Sequence, residues 1–208
     1  MKVVICWFRR DLRLHDNAAL YHALRSGFPV VPAFIFDTDI LDDLDSRADR
    51  RLQFIHDALS VMQSRLLKMG STLHVYHGTP AAAFRHFTEV YEVAGVYANH
   101  DYEPYARQRD EAMAAQLGGQ GIGFKTYKDQ VIFEKGEVLK DNGAPYTVFT
   151  PYSRKWKAAL EPFFSNPILR KSILNISTCR RSALCPRFLI SASKLPVTIS
   201  RLPIRKTH

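Results

Sequence analysis

The segment Lys2–Phe8, with the sequence KVVICWF, is a short apolar run rich in β-branched residues and predicts a buried β-strand. Val30–Phe36, with the sequence VVPAFIF, is a second run of the same kind. Between them, residues 17–26 carry apolar side chains at helical spacing, with Asp16 or Asn17 available as the N-cap. The N-terminal part of the chain therefore predicts a strand–helix–strand unit.

The same alternation continues to residue 127, and it predicts a parallel sheet with right-handed crossovers. We therefore expect an α/β fold with a Rossmann-like, doubly wound, five-stranded parallel sheet in the order 3-2-1-4-5. The first turn reads Arg9-Arg10-Asp11 and lacks the G-x-G-x-x-G pattern, which argues against ordinary NAD binding. The other predicted elements are a helix that starts at the S-x-x-D signal of Ser46 and Asp49 and stops at Gly70, a strand at Thr72–Tyr76, a helix at Pro80–Ala94, a strand at Val96–Asn99, a helix at Pro104–Leu117 and a strand at Phe124–Tyr127.

The basic charge of the chain is concentrated at its C-terminal end. Of the net charge of +9, residues 1–160 contribute +1 and residues 161–208 contribute +8. The last segment has no glycine and holds seven serines and five prolines, so we expect a poorly structured basic tail. It is either an arm for nucleic acid or membrane surfaces or the aberrant end of a truncated or frame-shifted coding sequence, and the abrupt change in composition favours the second interpretation.

The overall composition is that of a globular protein, with 46% hydrophobic and 24% charged residues. The three cysteines are an odd number, which argues against a secreted disulfide framework. No apolar run approaches the ~20 residues of a transmembrane helix, and the apolar N-terminus is too short for a signal peptide. We expect a cytoplasmic protein without a membrane partner.

The most charged segments of the predicted domain are residues 9–16 and residues 100–109, which follow the first and the fourth strand. In an open α/β sheet, ligands bind beyond the carboxyl ends of the strands, where the strand order reverses. The predicted order places this reversal between these two strands. The sequence therefore predicts a ligand site there, in which Arg9 or Arg10 faces an anion or a polar ring system.

Three further residues point to the same edge. Glu103 falls at the N-cap of the helix that starts at Pro104, and glutamate is a poor capping residue, which indicates another partner. Arg51 lies near the start of the long helix, where the dipole disfavours cations; a ligand or a carboxylate partner would explain it, and simple solvation is the alternative. Asp37 ends the second strand and can accept a hydrogen bond from a ligand. We predict no catalytic residue and no metal site: His74 and His77 suit a structural role, and Cys179 and Cys185 lack a second pair.

Three ordered blocks of the sequence resemble the DNA photolyase and cryptochrome family. They are WFRRDLRLHDN at residues 7–17, NHDYEPYARQRD at residues 99–110 and PYTVFTPY at residues 145–152. The resemblance covers about residues 2–160 and implies the α/β antenna domain of a blue-light flavoprotein. In that family a second, helical domain binds FAD and the damaged DNA. Light absorbed by the antenna is passed to reduced FAD, which donates an electron to split a pyrimidine dimer.

The resemblance also implies a chromophore pocket and its ligand. Folate-using members have an Asn-Glu pair where this chain has Tyr105-Ala106, which favours a deazaflavin or a flavin over methenyltetrahydrofolate as the antenna chromophore. Carboxylates and guanidiniums suit the polar edges of such a flat ring. The pocket residues implied by the resemblance are Arg10, Asp37, Arg51, Asp101, Glu103 and Arg109.

The resemblance divides the chain into an antenna domain at residues 1–135, the start of an interdomain connection at 136–160 and the basic tail at 161–208. Nothing in the tail resembles the FAD domain, so we expect a truncated family member that does not repair DNA by itself; FAD and damaged DNA would be partners of the full-length parent. The antenna half leaves photolyase and cryptochrome open. Two alternatives are a stand-alone nucleotide- or cofactor-binding module and a weak, nonspecific nucleic-acid binder acting through the tail.

Overall fold

The sheet of the computed structural model, which describes residues 2–42 and 49–165, has five parallel strands in the order β3-β2-β1-β4-β5. The predicted fold class and strand order are confirmed. β1 lies at the centre of the sheet and pairs with β2 on one side and with β4 on the other. The strands, numbered along the chain, are β1 (Lys2–Phe8), β2 (Val30–Phe36), β3 (His74–His77), β4 (Glu92–Asn99) and β5 (Gly123–Tyr127).

Helices cover both faces of the sheet, and β1 supplies side chains to both cores. Val4 and Phe8 pack into the core that contains the buried residues of α1 and α3. Ile5 and Trp7 pack into the opposite core with α4 and α5. A strand buried on both faces explains the unbroken apolar run of residues 2–8. The helices are α1 (Ala18–Leu24), α2 (Thr38–Leu41), α3 (Arg50–Lys68), α4 (Pro80–Val90), α5 (Pro104–Gly118) and α6 (Phe149–Ser165).

Several predicted boundaries differ from the structure: β3 is His74–His77 rather than residues 72–76, and α5 and β5 are each one residue longer than predicted. The largest difference lies at α4 and β4. The predicted helix at residues 80–94 ends at Val90, and the fourth strand begins at Glu92 instead of Val96. The reason is tertiary: Glu92 and Val93 pair with the first residues of β1, which overrides the local helical preference of this stretch. At the start of α3, Asp49 is itself the N-cap and accepts a hydrogen bond of 2.7 Å from the backbone N–H of Arg51. The expected start at Ser46 lies outside the described residues.

The predicted interdomain connection contains a helix that the sequence analysis did not identify. α6 begins at Phe149 and continues to Ser165, so it crosses the predicted boundary at residue 160. The remainder of the predicted tail lies outside the described residues. Within residues 2–42 and 49–165, no helix is both long enough and apolar enough to cross a membrane.

The parallel arrangement brings the carboxyl ends of all strands to one edge of the sheet. The loops after β1, β2 and β4 start there, and so do α3 and α5, because each helix returns the chain to the other edge. This edge therefore gathers the segments that the sequence analysis singled out.

Candidate functional site

Arg10 connects the loop after β1 with the start of α5. Its Nη2 lies 2.8 Å from Oε1 of Glu103, and its Nη1 lies 3.6 Å from Oδ1 of Asp101. Glu103 is the N-cap residue of α5, but its side chain makes no capping hydrogen bond. The partner expected for Glu103 from its poor capping ability is therefore Arg10, across the point where the strand order reverses.

Asp101 lies between two guanidinium groups. One is Arg10, and the other is Arg109, whose Nη2 lies 3.9 Å from Oδ2 of Asp101. The side chain of Asp101 is only 8% exposed, whereas that of Arg10 is 55% exposed. A nearly buried carboxylate is thus held beside one buried cation and one solvent-accessible cation, Arg10.

Trp7, the penultimate residue of β1, supports two arginines. The guanidinium carbons of Arg9 and Arg109 lie 5.0 Å and 4.9 Å from the centroid of its ring, at cation–π distance. Arg9 also binds Asp110 through hydrogen bonds of 2.6 Å and 2.7 Å, and it donates to the backbone carbonyl of Asn99. Of the two arginines proposed to face a ligand, Arg9 is therefore a structural anchor, and Arg10 is the accessible one.

Asp37 is joined to this cluster from the β2 side. Its Oδ2 accepts a hydrogen bond of 2.7 Å from the hydroxyl of Tyr105, and its Oδ1 accepts one from the backbone N–H of Asp39 as the N-cap of α2. Burial raises the pKa of Asp37, against the hydrogen bonds from Tyr105 and Asp39, which favour its charged form. The ring of Tyr105 lies 5.8 Å from the guanidinium carbon of Arg109.

Arg51 is placed at the same edge of the sheet, at the start of α3. Its Nη2 lies 2.6 Å from Oδ2 of Asp49, and its side chain is 72% exposed. The hydrogen bonds from Arg51 lower the pKa of Asp49 to about 2. A carboxylate partner therefore accounts for this cation at a helix N-terminus. The other five predicted pocket residues form one network of ion pairs and hydrogen bonds, in which Tyr105 connects Asp37 to Arg109. The ion pair of Arg51 with Asp49 joins residues that are close in sequence.

A second, buried network holds the loop after β1 in place. Asn99 donates hydrogen bonds of 2.6 Å to Asp11 and 3.0 Å to Asn17, and it accepts one of 2.8 Å from the backbone N–H of Ala19. Asn17 caps α1 by accepting from the N–H of Leu20, and it donates to Asp11. These side chains are almost completely buried, so this network fixes the positions of Arg9 and Arg10 rather than meeting a ligand.

Sequence reasoning missed two residues of the site, Tyr105 as the partner of Asp37 and Asp110 as the partner of Arg9. Both lie in the charged block at residues 99–110, but their partners are 68 and 101 residues away along the chain. In the described part of the chain, no group of three or more His, Cys, Asp or Glu side chains is arranged to hold a metal ion. His74 is buried, and its Nδ1 lies 2.9 Å from the hydroxyl of Tyr91, away from this edge of the sheet.

Comparison with known proteins identifies one family. The statistical model of the DNA photolyase family matches residues 4–168. A deoxyribodipyrimidine photo-lyase from Synechococcus is 31% identical over 194 residues, which cover 93% of this chain and 39% of that protein. An uncharacterised 31.6 kDa protein from another Synechococcus strain is 35% identical over 152 residues, which are 73% of this chain and 53% of that protein.

Two solved structures share the fold. A class III photolyase from Agrobacterium tumefaciens superposes with a TM-score of 0.68 at 29% identity, over 75% of this chain and 32% of that one. An archaeal photolyase from Sulfolobus tokodaii superposes with a TM-score of 0.62 at 33% identity, over 67% of this chain and 32% of that one. The chain thus spans between about a third and a half of the length of these relatives.

Proposed function

The chain belongs to the DNA photolyase family, and from this premise we propose that it binds an antenna chromophore at the carboxyl edge of its sheet, between the loops after β1 and β4. The proposed site consists of Arg10, Asp37, Arg51, Asp101, Glu103 and Arg109. The bound chromophore would absorb blue light and pass the excitation energy on. The parent activity we propose is light-driven repair of cyclobutane pyrimidine dimers in damaged DNA, in which a further domain holds the FAD that supplies the electron.

The observation that carries this proposal is the position of Asp101 between Arg10 and Arg109. A carboxylate with 8% exposure beside two cations presents hydrogen-bond donors and acceptors close together, at the place where open α/β sheets bind their ligands. Such an edge suits a flat ring system with alternating donor and acceptor atoms. Among the described residues of this edge, the charged side chains are paired with one another, an arrangement that suits ligand binding.

We propose a deazaflavin or a flavin as the chromophore in preference to methenyltetrahydrofolate. Tyr105 and Ala106 stand where folate-using members of the family have an Asn-Glu pair, and Tyr105 is engaged with Asp37. The structure of the Sulfolobus tokodaii photolyase is described as containing two FAD molecules and as implying a novel light-harvesting cofactor in that protein. The light-harvesting cofactor implied for that relative supports a flavin as the chromophore here.

A titration with four ligands tests the proposal. The purified chain is titrated separately with a 5-deazaflavin, FMN, FAD and methenyltetrahydrofolate, and ligand fluorescence reports binding. The variant Asp101→Asn removes the charge that faces Arg10 and Arg109, and we expect about tenfold weaker binding of the deazaflavin or flavin. Asp141→Asn makes the same chemical change at a carboxylate that is 95% exposed, and it should leave the affinity unchanged. Equal affinity of Asp101→Asn and the unaltered chain would overturn the assignment. Binding of FAD without binding of FMN or the deazaflavin would indicate recognition of the adenine nucleotide and favour a stand-alone nucleotide-binding module.

A second candidate function is weak, nonspecific binding of nucleic acid through residues 161–208. The net charge of +8 in this segment favours it, because cationic segments bind phosphate backbones by releasing counterions. The test is the affinity for a short duplex at two salt concentrations. We expect an affinity that falls steeply with salt and is lost when residues 166–208 are removed; retention of the affinity after this deletion would exclude the tail as the binding element.

A further inference from the structure

The side chain of Tyr105 reaches across the carboxyl edge of the sheet. Tyr105 is the second residue of α5, which follows β4, and its hydroxyl donates to Asp37, which follows β2. Because β1 lies between β2 and β4, this hydrogen bond spans the end of β1. Any flat ligand that reaches Asp37 from the proposed site must therefore compete with the Tyr105 hydroxyl.

Asp37 cannot give up this hydrogen bond without a replacement. The residue is only 7% exposed, its Oδ1 is used by the backbone N–H of Asp39, and its Oδ2 is used by Tyr105 at 2.7 Å. A buried carboxylate that loses a donor bears the full desolvation penalty of the unpaired oxygen. The displacing ligand must therefore supply an N–H or O–H donor of its own.

Of Asp37, Arg109 and Tyr105, Tyr105 is the residue that can move. It is 37% exposed, whereas the side chain of Arg109 beside it is 7% exposed. Arg109 is held by Asp110 through hydrogen bonds of 3.1 Å and 3.0 Å and by the ring of Trp7. When a ligand arrives, the tyrosine can turn towards solvent while the buried carboxylate and guanidinium stay in position.

We propose that Tyr105 and Asp37 together select ring systems that carry an N–H donor on the edge facing β2. A ligand with this donor replaces the Tyr105 hydroxyl on Asp37, and a ligand that has a methyl group or an acceptor there leaves Asp37 unpaired. The inference rests on the proposed chromophore site and adds the chemical criterion by which that site chooses its ligand. Flavins and deazaflavins carry one imide N–H between two carbonyl groups, which fits this criterion.

Riboflavin and 3-methylriboflavin test the criterion, because they differ only at the imide nitrogen. We expect the unaltered chain to bind riboflavin about tenfold more tightly than the methylated compound. In Asp37→Asn the amide oxygen can still cap α2, which places the NH2 donor towards the ligand instead of an acceptor, so the preference should fall to about threefold or less. If Asp37→Asn keeps the full preference for riboflavin, the preference comes from steric exclusion of the methyl group, and the proposal is overturned.

The variant Tyr105→Phe tests the competition. Without the hydroxyl, no hydrogen bond has to be broken on binding, so both compounds should bind about three- to tenfold more tightly while the preference for riboflavin remains. A merely structural role of the tyrosine predicts the opposite, weaker binding. Tyr91→Phe removes a hydroxyl from the far side of the domain and should change neither affinity, and thermal unfolding of each variant checks that the fold is retained.

The outcomes separate this inference from the function on which it rests. If the unaltered chain binds both compounds equally, or if Tyr105→Phe weakens binding, the selection by Tyr105 and Asp37 is wrong while the chromophore site stands. If the unaltered chain binds neither compound and no deazaflavin, the proposed flavin-type site is wrong as well.

Discussion

Asn99 shows how much a single side chain contributes to this site. It is 2% exposed and makes hydrogen bonds to Asp11, to Asn17 and with the N–H of Ala19, so it ties the end of β4 to the loop after β1 and to the start of α1. All three partners are buried or nearly so. Its removal leaves the Ala19 N–H without its acceptor and takes one of the donors from Asp11 and from Asn17, which keep other hydrogen bonds, and the loop that carries Arg10 loses one of its anchors.

We therefore predict that Asn99→Ala lowers the free energy of unfolding by about 3 kcal/mol, since each buried polar group left unpaired costs about 1–3 kcal/mol. Urea denaturation measures the change. Asn142→Ala, in an exposed turn where the Asn142 side chain accepts from the N–H of Ala144, is the matched control and should cost about 0.5 kcal/mol or less. Similar losses in the two variants would show that the buried network contributes little.

The buried side chain of His74, which is 3% exposed, makes the stability of the fold depend on pH. Burial lowers the pKa of His74 from 6.5 to about 4, and the neighbouring His86 adds to the effect. The unfolded chain therefore binds a proton at this residue below pH 6.5, and the folded chain does not until pH approaches 4. Stability should be highest above pH 6.5 and fall by up to about 3 kcal/mol as the pH drops through this window.

The measurement is the urea midpoint across this pH range for the unaltered chain and for two variants. His74→Phe keeps an aromatic ring in the core but cannot be protonated, so its stability should depend less on pH. His15→Gln changes an exposed histidine and should keep the full dependence. The same slope in His74→Phe would contradict the assignment.

At the start of α5, the N-cap residue forms an ion pair instead of a capping hydrogen bond. Glu103 occupies the N-cap without a capping hydrogen bond and pairs with Arg10 instead. Thr79, at the equivalent position of α4, accepts a hydrogen bond from the backbone N–H of Ala82. Both helices continue with a proline, so the difference lies in the capping residue itself.

We predict that Glu103→Ser leaves the free energy of unfolding unchanged or raises it by up to about 1 kcal/mol, because a serine cap compensates for the exposed ion pair that is lost. The chromophore affinity should fall by about threefold or more. Thr79→Ala should do the reverse and lower stability by about 1 kcal/mol at unchanged affinity. Denaturation and titration of both variants check the separation; a loss of stability in Glu103→Ser together with unchanged affinity would contradict it.

The elements also show what the sequence could predict. β1 and β2 were predicted to the residue because strands buried on both faces are continuous apolar runs between charged or polar turns. The start of β4 was missed because it depends on pairing with β1, and α6 was missed although Phe149, Tyr152 and Trp156 have helical spacing. Five of the six residues predicted to line a pocket lie close together because the strand order could be predicted. The hydrogen bond from Tyr105 to Asp37 joins side chains whose approach no local pattern encodes.

At the scale of the whole molecule, both cores and the proposed site lie within the first 138 residues. The family match extends to residue 168, and the excess of basic charge begins after residue 160. The domain that carries the site is thus separate in sequence from the segment that carries the charge. Ligand binding and nucleic-acid binding should therefore be separable by deletion.

We predict that removal of residues 166–208 leaves the chromophore affinity and the free energy of unfolding of the domain unchanged within about 0.5 kcal/mol, since the described core residues and the proposed site residues all precede residue 166. Titration and urea denaturation of the shortened chain measure both quantities. A large loss of chromophore affinity would show that the C-terminal segment completes the site.

The most direct test of chromophore binding is the absorption spectrum of the purified chain, with mass spectrometry of any compound released on denaturation. We expect the chain to release a deazaflavin or a flavin, or to take up one of them stoichiometrically when it is supplied, and we expect Asp101→Asn to weaken this binding. A chain that neither releases nor takes up these compounds would contradict the proposed chromophore site. Preferential binding of methenyltetrahydrofolate would contradict the proposed deazaflavin or flavin.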